Sequence, residues 1–194
     1  MMNEIFYKHY VFLEEINNQI KKNLLKFINI NIIINIDRTS EKDLNNIKLI
    51  VNFAKKNRIP FFFKNSFQKC IKYKSDGIFI DSFNKKIIKP IKLKKKFEII
   101  GLAHNQVEYS TKLIQKCSLI MLSPLFYNEK YSKNKILNIL KFNLIKQNWK
   151  IKTCPLGGIN SKNFNLVKLT SNKIAAFKGF IYNNEIKKPA YKLM

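Results

Sequence analysis

Hydrophobic residues along the chain gather into eight short runs, and most of the segments between these runs have helical spacing. The runs cover residues 10–13, 30–36, 59–63, 77–80, 97–103, 119–126, 153–158 and 173–180. Most are continuous rather than alternating, which is typical of strands buried on both faces of a parallel sheet. We therefore interpret the runs as eight parallel β-strands.

Helical segments are predicted between most of the runs. Ile16, Ile20 and Leu24 recur at helical spacing after the first run, and Ser40 and Asp43 are plausible capping residues after the second. Further helical segments are predicted at 67–74, 105–117, 136–148 and 160–169, whereas 81–96 shows no good helix. The alternation predicts an α/β protein, a small (β/α)₈ TIM barrel that forms a single domain over residues 1–194.

In a barrel of this kind the chemistry lies at the C-terminal ends of the strands. We therefore take the polar and small residues that end each run as the candidate site. They are Asn35, Asp37, Arg38, Lys64, Asn65, Ser66, Asp81, Ser82, Ala103, His104, Asn105, Ser123, Pro124, Gly157, Gly158, Lys178 and Gly179.

Three of the five glycines lie at the ends of the last two runs. Gly157 and Gly158 lie in IKTCPLGGIN (151–160), and Gly179 lies at the end of the eighth run. Barrel enzymes often bind phosphate through the loops after strands seven and eight and a nearby helix N-terminus. We expect these glycines to offer backbone N–H groups to a phosphate, assisted by the dipole of the helix that follows. The alternative is that they only make tight turns.

Several segments, in order along the chain, resemble the thiamine phosphate synthase and thiazole tautomerase family. They are IPFFFKNSFQKCIKYKSDGIFIDSF, GLAHNQVEYSTKLIQKCSLIMLSPLFYNEKYSKNK, CPLGGINSKN and IAAFKGFI, and the likeness spans about residues 30 to 182. The resemblance implies a TIM barrel. It also implies an enzyme that joins hydroxymethylpyrimidine pyrophosphate to thiazole phosphate and releases pyrophosphate with Mg²⁺.

The same resemblance assigns roles to individual positions. Asn65 stands where the family's asparagine contacts the pyrophosphate, and Gly157 and Gly158 stand where backbone binds the thiazole phosphate. Ser123 begins the loop that closes over substrate, and Lys130 or Lys133 would replace the lysine of that loop. Substrate-binding candidates also include Arg38, which with Asn35 is the nearest substitute for the family's Q-x-R-x-K on strand two, and Lys64.

Other positions depart from the family pattern. Ser66 stands where the synthase has a Mg²⁺-binding aspartate, and Asn84 stands near the second one. Because Mg²⁺ is usually held by one or two carboxylates and phosphate oxygens, only Asp81 or Asp37 could rescue a metal site.

His104 is the histidine nearest the predicted mouth of the barrel. It is a candidate acid, base or phosphate donor, and the alternative is a helix-cap or loop residue. The resemblance to the tautomerase branch implies a histidine in the strand-six loop, where this chain has Pro124.

The formal net charge of +25 changes this picture little. Of the 37 basic residues only Arg38 and Arg58 are arginine. Proteins that bind nucleic acid usually favour arginine, because its planar side chain pairs with phosphate and guanine. The composition therefore suggests a drift toward residues with A/T-rich codons more than selection for binding nucleic acid. We interpret the lysines mainly as a solvated surface, with a functional polyanion patch as the alternative. The positive field would attract a small phosphorylated substrate.

Other features bound the class of protein. No run approaches the ~18 to 20 apolar residues of a membrane span, and the N-terminus lacks the features of a secretory signal. The three cysteines are widely spaced and odd in number, which favours a reducing cytoplasm as the compartment of this protein. Trp149 is predicted to be a core residue.

Three hypotheses remain open at this point. The first is a thiamine-phosphate-synthase-like enzyme. The second is an altered or non-catalytic family member that binds a phosphorylated thiazole. The third is a basic protein that binds nucleic acid, which would need a strongly salt-dependent affinity and is disfavoured by the shortage of arginine. The sequence leaves the oligomeric state undetermined.

Overall fold

Eight parallel strands with helices between them form a nearly closed barrel, so the predicted (β/α)₈ fold is confirmed. The computed structural model describes residues 8–37, 40–87, 97–129, 132, 135–170, 172 and 174–177. The strands are β1 (Lys8–Leu13), β2 (Ile30–Ile34), β3 (Phe61–Lys64), β4 (Gly77–Ile80), β5 (Glu98–Ala103), β6 (Leu119–Leu122), β7 (Lys152–Pro155) and β8 (Ile174–Phe177). Each overlaps one predicted run.

The strands follow one another around the barrel in chain order. Hydrogen-bonded neighbours run β7-β6-β5-β4-β3-β2-β1-β8, and every described pairing is parallel. The two ends of this order, β7 and β8, are also in contact. The C-terminal ends of all eight strands therefore meet at one mouth of the barrel.

In the part of the chain that the structure describes, five α-helices lie between the strands: α1 (Asn18–Leu24), α2 (Glu41–Lys56), α3 (Phe67–Tyr73), α4 (Gln106–Ile114) and α5 (Asn138–Asn148). The first four begin at a side-chain N-cap, which satisfies backbone N–H groups of the first turn. Ser40 caps α2 as predicted, since its Oγ accepts from the N–H of Asp43 at 3.2 Å.

Two connections differ from the remaining β/α units. After β7 the chain forms a 3₁₀ helix, Phe164–Thr170, where an α-helix over 160–169 was predicted. Between β4 and β5, residues 81–87 contain no helix, as expected, and residues 88–96 lie outside the described part of the chain.

The strands divide the hydrophobic core into two layers because alternate side chains point to opposite faces. The inward set, which includes Tyr10, Phe62, Phe79 and Met121, fills the barrel. The outward set packs against the helices, and Trp149, which follows the last helix before β7, is buried in the same cluster as predicted.

Gly77 shows how tightly the interior is filled. A Cβ at this position would lie 2.1 Å from the Glu98 carbonyl oxygen and 2.6 Å from the Phe62 ring. Beside it, a carboxylate oxygen of Asp76 accepts from the N–H of Phe61 at 3.0 Å and joins the starts of β3 and β4. The DG pair that contributed to the family resemblance therefore has a packing role in this chain.

Within the described residues, no helix has both the length and the apolar character needed to cross a membrane. Cys70, Cys117 and Cys154 are buried free thiols.

Candidate functional site

A cleft of about 830 Å³ opens at the C-terminal mouth of the barrel, where the fold predicts the site. Its volume is in the range of small-molecule pockets. It is lined by Phe12, Asn35, Lys64, Phe79, Asp81, Ser82, Phe83, Leu102, His104, Asn105, Glu108, Pro124, Lys135 and Leu156. Apolar side chains thus alternate with amide, carboxylate and cationic groups around the cleft.

Asn65 and Asp81 lie on neighbouring strand ends, and Asn84 joins them in one hydrogen-bonded network. The Asn65 side chain donates to an Asp81 carboxylate oxygen at 2.6 Å and accepts from the Asp81 N–H at 3.1 Å. The Asn84 side chain donates to the same Asn65 oxygen at 3.1 Å, and the Asn84 N–H donates to the second Asp81 oxygen at 3.1 Å. Asn65 has φ = 51°, a left-handed conformation that asparagine tolerates better than most residues.

Lys64 supplies a cation to the cleft, and Asp37 holds it in place. The Lys64 Nζ lies 2.9 Å from an Asp37 carboxylate oxygen, and the Lys64 side chain is 21% exposed. Nearby, the Lys69 Nζ donates to the Ile36 carbonyl at 2.9 Å and ties α3 to the end of β2. Arg38, the other cation predicted here, lies outside the described residues.

His104 is paired with Glu108, one turn along the chain at the start of α4. A single Glu108 carboxylate oxygen lies 2.9 Å from His104 Nδ1 and accepts the His104 backbone N–H at 2.6 Å. The Asn105 side chain in turn accepts the Glu108 N–H at 3.0 Å. Asn105 is thus the N-cap of α4, and His104 is the loop residue before it, whose imidazole lines the cleft.

The structure places Ser66 at the start of a helix and Ser123 in the protein interior. The Ser66 Oγ accepts from the Lys69 N–H at 3.3 Å as the N-cap of α3. Ser123 is buried, and the neighbouring Pro124 rather than Ser123 lines the cleft.

The Gly157–Gly158 pair allows two loops to pack closely. Both residues have positive φ, at 95° and 69°. A Cβ on Gly157 would lie 2.9 Å from Ser123 Oγ, and one on Gly158 would lie 2.4 Å from the Phe126 carbonyl oxygen. Positive φ and close packing fit the tight-turn alternative, and phosphate binding by these glycines stays a prediction. Because the 3₁₀ helix begins only at Phe164, the expected helix N-terminus directly after them is absent.

Two other predicted phosphate- or substrate-binding residues, Gly179 and Lys130, lie outside the described residues, as does Lys133. Of the same loop after β6, Lys135 lines the cleft. Sequence reasoning missed it because lysines are so frequent in this chain that no single one stands out.

A buried lysine, also missed, holds the loop 81–87 against α4. The Lys112 side chain is fully buried, and its Nζ donates to the Asp81 carbonyl at 2.6 Å, the Asn84 carbonyl at 3.0 Å and Gln115 Oε1 at 2.9 Å. All three ammonium donors are therefore satisfied. Gln115 Nε2 adds bonds to the Asn84 and Lys86 carbonyls at 2.8 and 2.9 Å.

Gly101 on β5 makes room for this lysine. A Cβ there would lie 2.9 Å from both Lys112 Cδ and Cys117 Sγ. Burial lowers the pKa of Lys112, opposed by the charges of Cys117, Asp81 and Glu108. Lys112 and Gln115 thus tie the loop 81–87 to the segment at the end of α4.

Comparisons with solved structures find the same fold in thiamine enzymes. A thiamine phosphate pyrophosphorylase from Pyrococcus furiosus matches with a TM-score of 0.71 and 13% identity, over 100% of this chain and 96% of that one. A thiamine phosphate pyrophosphorylase from Bacteroides thetaiotaomicron matches with a TM-score of 0.61 and 15% identity, over 95% and 91%.

Other barrels match as well. An HpcH/HpaI aldolase from Desulfitobacterium hafniense has a TM-score of 0.59 and 7% identity, over 90% of this chain and 86% of that one. No family model matches the chain, and no curated protein matches it in sequence. At these identities the structural likeness establishes the fold alone.

Proposed function

We propose that this chain is a thiamine-phosphate-synthase-like protein of thiamine biosynthesis. Its mouth cleft would bind hydroxymethylpyrimidine pyrophosphate and thiazole phosphate and condense them with release of pyrophosphate. The observation that carries the proposal is the composition of the cleft. It is lined by Lys64, His104 and Lys135. Asp81 lines it too and is hydrogen-bonded to Asn65. Two thiamine phosphate pyrophosphorylases that match over nearly their whole length support it.

Within this proposal the cationic side chains bind the anionic parts of the substrates. Lys64 and Lys135 line the cleft and would pair with phosphate oxygens, since lysine acts as a compact point charge for such groups. His104, oriented by Glu108, would donate to a phosphate or move a proton. Charge that develops on the departing pyrophosphate would be stabilised by these donors.

The implied Mg²⁺ fits the described donor set poorly. Both carboxylate oxygens of Asp81 accept hydrogen bonds from the protein, and Asp37 is paired with Lys64. Among the described residues no group of three or more His, Cys, Asp or Glu is placed to hold a metal ion. We therefore assign no step of the reaction to a resident Mg²⁺.

The engagement of the cleft carboxylates also supports a second candidate function. A chain whose cleft carboxylates are engaged with its own side chains could bind phosphorylated thiazole without condensing it. The cleft and its lysines serve this role equally well, so the reaction must be measured directly.

The test is a thiamine phosphate assay on the purified chain. Both substrates are supplied, with Mg²⁺ in one series and chelator in another, and product is followed over time. Product formation supports the synthase proposal. Absence of product together with thermal stabilisation by thiazole phosphate supports the binding role. Absence of both contradicts both functions.

A pair of lysine variants makes this test specific to the cleft. Lys64→Met removes one of the two lysines that line the cleft, whereas Lys55→Met changes an exposed lysine of α2. We expect Lys64→Met to weaken thiazole phosphate binding or turnover about tenfold, with Lys55→Met close to the native protein. Equal effects of the two changes would show that only the general positive field attracts the ligand.

A further inference from the structure

Phe83 is an aromatic side chain displayed to solvent at the mouth of the barrel. It is 85% exposed and lines the same cleft as Lys64, His104 and Lys135. Single exposed apolar residues are common on protein surfaces. Phe83 differs from such residues in its position at the cleft and in the hydrogen bonds that hold the backbone on both sides of it.

The backbone on both sides of Phe83 is anchored. Before it, the Asp81 N–H donates to the Asn65 side chain, and the Asp81 carbonyl accepts from the buried Lys112 ammonium. After it, the Asn84 N–H donates to the Asp81 carboxylate, and the Asn84 carbonyl accepts from the same ammonium. A short loop that contains no helix is thus fixed at both ends, and it presents Phe83 at a set place on the rim.

The surroundings of this ring match a ligand with two unlike parts. Lys64 and Lys135 favour an anion, whereas Phe83 and Leu102 offer apolar surface in the same cleft. A planar ring that carries a phosphate has both features. Aromatic rings attract one another in offset-stacked or edge-to-face arrangements beyond the burial of apolar area.

We propose that Phe83 stacks on the heteroaromatic ring of the phosphorylated ligand and so selects for a planar ring beside the anion. This inference rests on the proposed function, because it concerns the ligand of the same cleft. Phe83 is then a determinant of specificity for the ring, while the lysines bind the phosphate. Lys112 acts only as a positioning residue through the loop.

The test compares ligands that have the ring with ligands that lack it. Dissociation constants are measured by calorimetry for thiazole phosphate against inorganic phosphate, and for hydroxymethylpyrimidine pyrophosphate against inorganic pyrophosphate. The native protein is compared with Phe83→Ala, Phe83→Leu and Phe83→Trp. Leu140→Ala, which shortens an exposed apolar residue of α5, is the matched control.

We expect Phe83→Ala to weaken binding of at least one ring-bearing ligand about tenfold and to change binding of the ring-free anions less than about twofold. Phe83→Trp should retain the affinity, and Phe83→Leu should fall between the two. Because the side chain is largely exposed, all three variants are expected to fold.

Three outcomes would overturn the inference. They are an effect of Phe83→Ala no larger than that of Leu140→Ala, an equal weakening of both ligand types by Phe83→Ala, and an affinity of Phe83→Leu equal to that of the native protein, which would show that the π-system is irrelevant. If instead the native protein binds none of the ring-bearing ligands, the proposed function itself fails and this inference fails with it.

Discussion

Asn65 and Asp81 are joined by two hydrogen bonds across the ends of adjacent strands β3 and β4. The Asn65 amide donates to the Asp81 carboxylate at 2.6 Å, and the Asp81 N–H donates back to the Asn65 side-chain oxygen at 3.1 Å. Asn65 does this from a left-handed backbone conformation with φ = 51°. The pair sets the position of the loop 81–87 at the edge of the cleft.

Replacing Asn65 tests both features of this pair. We expect Asn65→Ala to lower the free energy of unfolding by about 2 kcal/mol, because hydrogen bonds are lost and Ala at positive φ is strained. Asn65→Gly removes the same side chain without that strain, so it should cost about 1 kcal/mol less. Urea denaturation measures both values. Equal stabilities of the two variants would contradict the left-handed assignment.

Replacing Lys112 tests the anchor beneath the loop. Lys112→Met keeps the apolar stem but removes the ammonium from its three acceptors, of which the Asn84 carbonyl keeps its bond from Gln115. We expect a loss of about 2 to 4 kcal/mol and faster amide exchange within 81–87 than in β3 and β4. Lys55→Met, on an exposed site, should change stability by less than about 0.5 kcal/mol.

If Lys112→Met does not fold, Gln115→Leu provides the same comparison, since it removes only the bonds to the Asn84 and Lys86 carbonyls and to the ammonium. Amide exchange in 81–87 equal to that of the native protein would rule out an anchoring role.

The two adjacent glycines should respond differently to alanine. Gly158→Ala would place a Cβ 2.4 Å from a backbone oxygen, whereas the Cβ of Gly157→Ala would meet Ser123 Oγ and Pro124 Cα at 2.9 Å. Both sites also have positive φ. We expect Gly158→Ala to cost about 3 kcal/mol or more and Gly157→Ala about 1 to 2 kcal/mol. Thermal unfolding of the two variants measures the order, and a reversed order would contradict the loop packing.

Burial should make the thiols unreactive in the folded protein. It raises the pKa of Cys117 to about 11, despite the opposing charge of Lys112, and it also raises the pKa of Cys70 and of Cys154. Because the thiolate is the nucleophile, we expect almost no alkylation by iodoacetamide at about pH 8 until the chain is unfolded. Mass spectrometry counts the modified sites. Rapid labelling of the native protein would contradict the burial.

The same shift predicts alkaline destabilisation. The unfolded Cys117 thiol loses its proton near its ordinary pKa of 9.0, whereas the folded one keeps it up to about 11. The folded state therefore binds more protons in this window, and stability falls as the pH rises through it. We expect this thiol to contribute about 1 to 3 kcal/mol to the free energy of unfolding, with the full contribution present below pH 9. In Cys117→Ala the free energy of unfolding should therefore fall less steeply at alkaline pH. Identical pH profiles for the two proteins would contradict this assignment.

Magnesium should have little effect on the protein without ligand. Asp81 and Asp37 are already engaged by Asn65, Asn84 and Lys64. We expect millimolar Mg²⁺ to shift the Tm by less than about 1 °C, since a metal stabilises the fold only where it binds the folded state preferentially. Stabilisation that Asp81→Asn abolishes would show that Asp81 holds the metal after all.

Much of the fold could be predicted from local patterns. Buried parallel strands are continuous apolar runs, and such runs located all eight strands. Ser40 marked the start of α2 because a capping hydroxyl and the N–H it satisfies are only three residues apart. The C-terminal ends of the strands, and hence Lys64, Asp81 and His104 at the cleft, followed from the alternation of strands and helices.

The remaining features depend on contacts between residues far apart in the chain. Lys112 reaches Asp81 and Asn84 across about thirty positions, and one lysine among so many has no local mark. The sequence predicted that the backbone of Gly158 binds a phosphate, but it could not show that the backbone of Phe126 packs where a Cβ of Gly158 would lie. The periodicity of apolar residues and the capping of helices involve residues close together in the chain, so they can be recognised in the sequence. Close packing and the pairing of buried polar groups arise only when distant segments meet, so the barrel could be predicted while the detailed site could not.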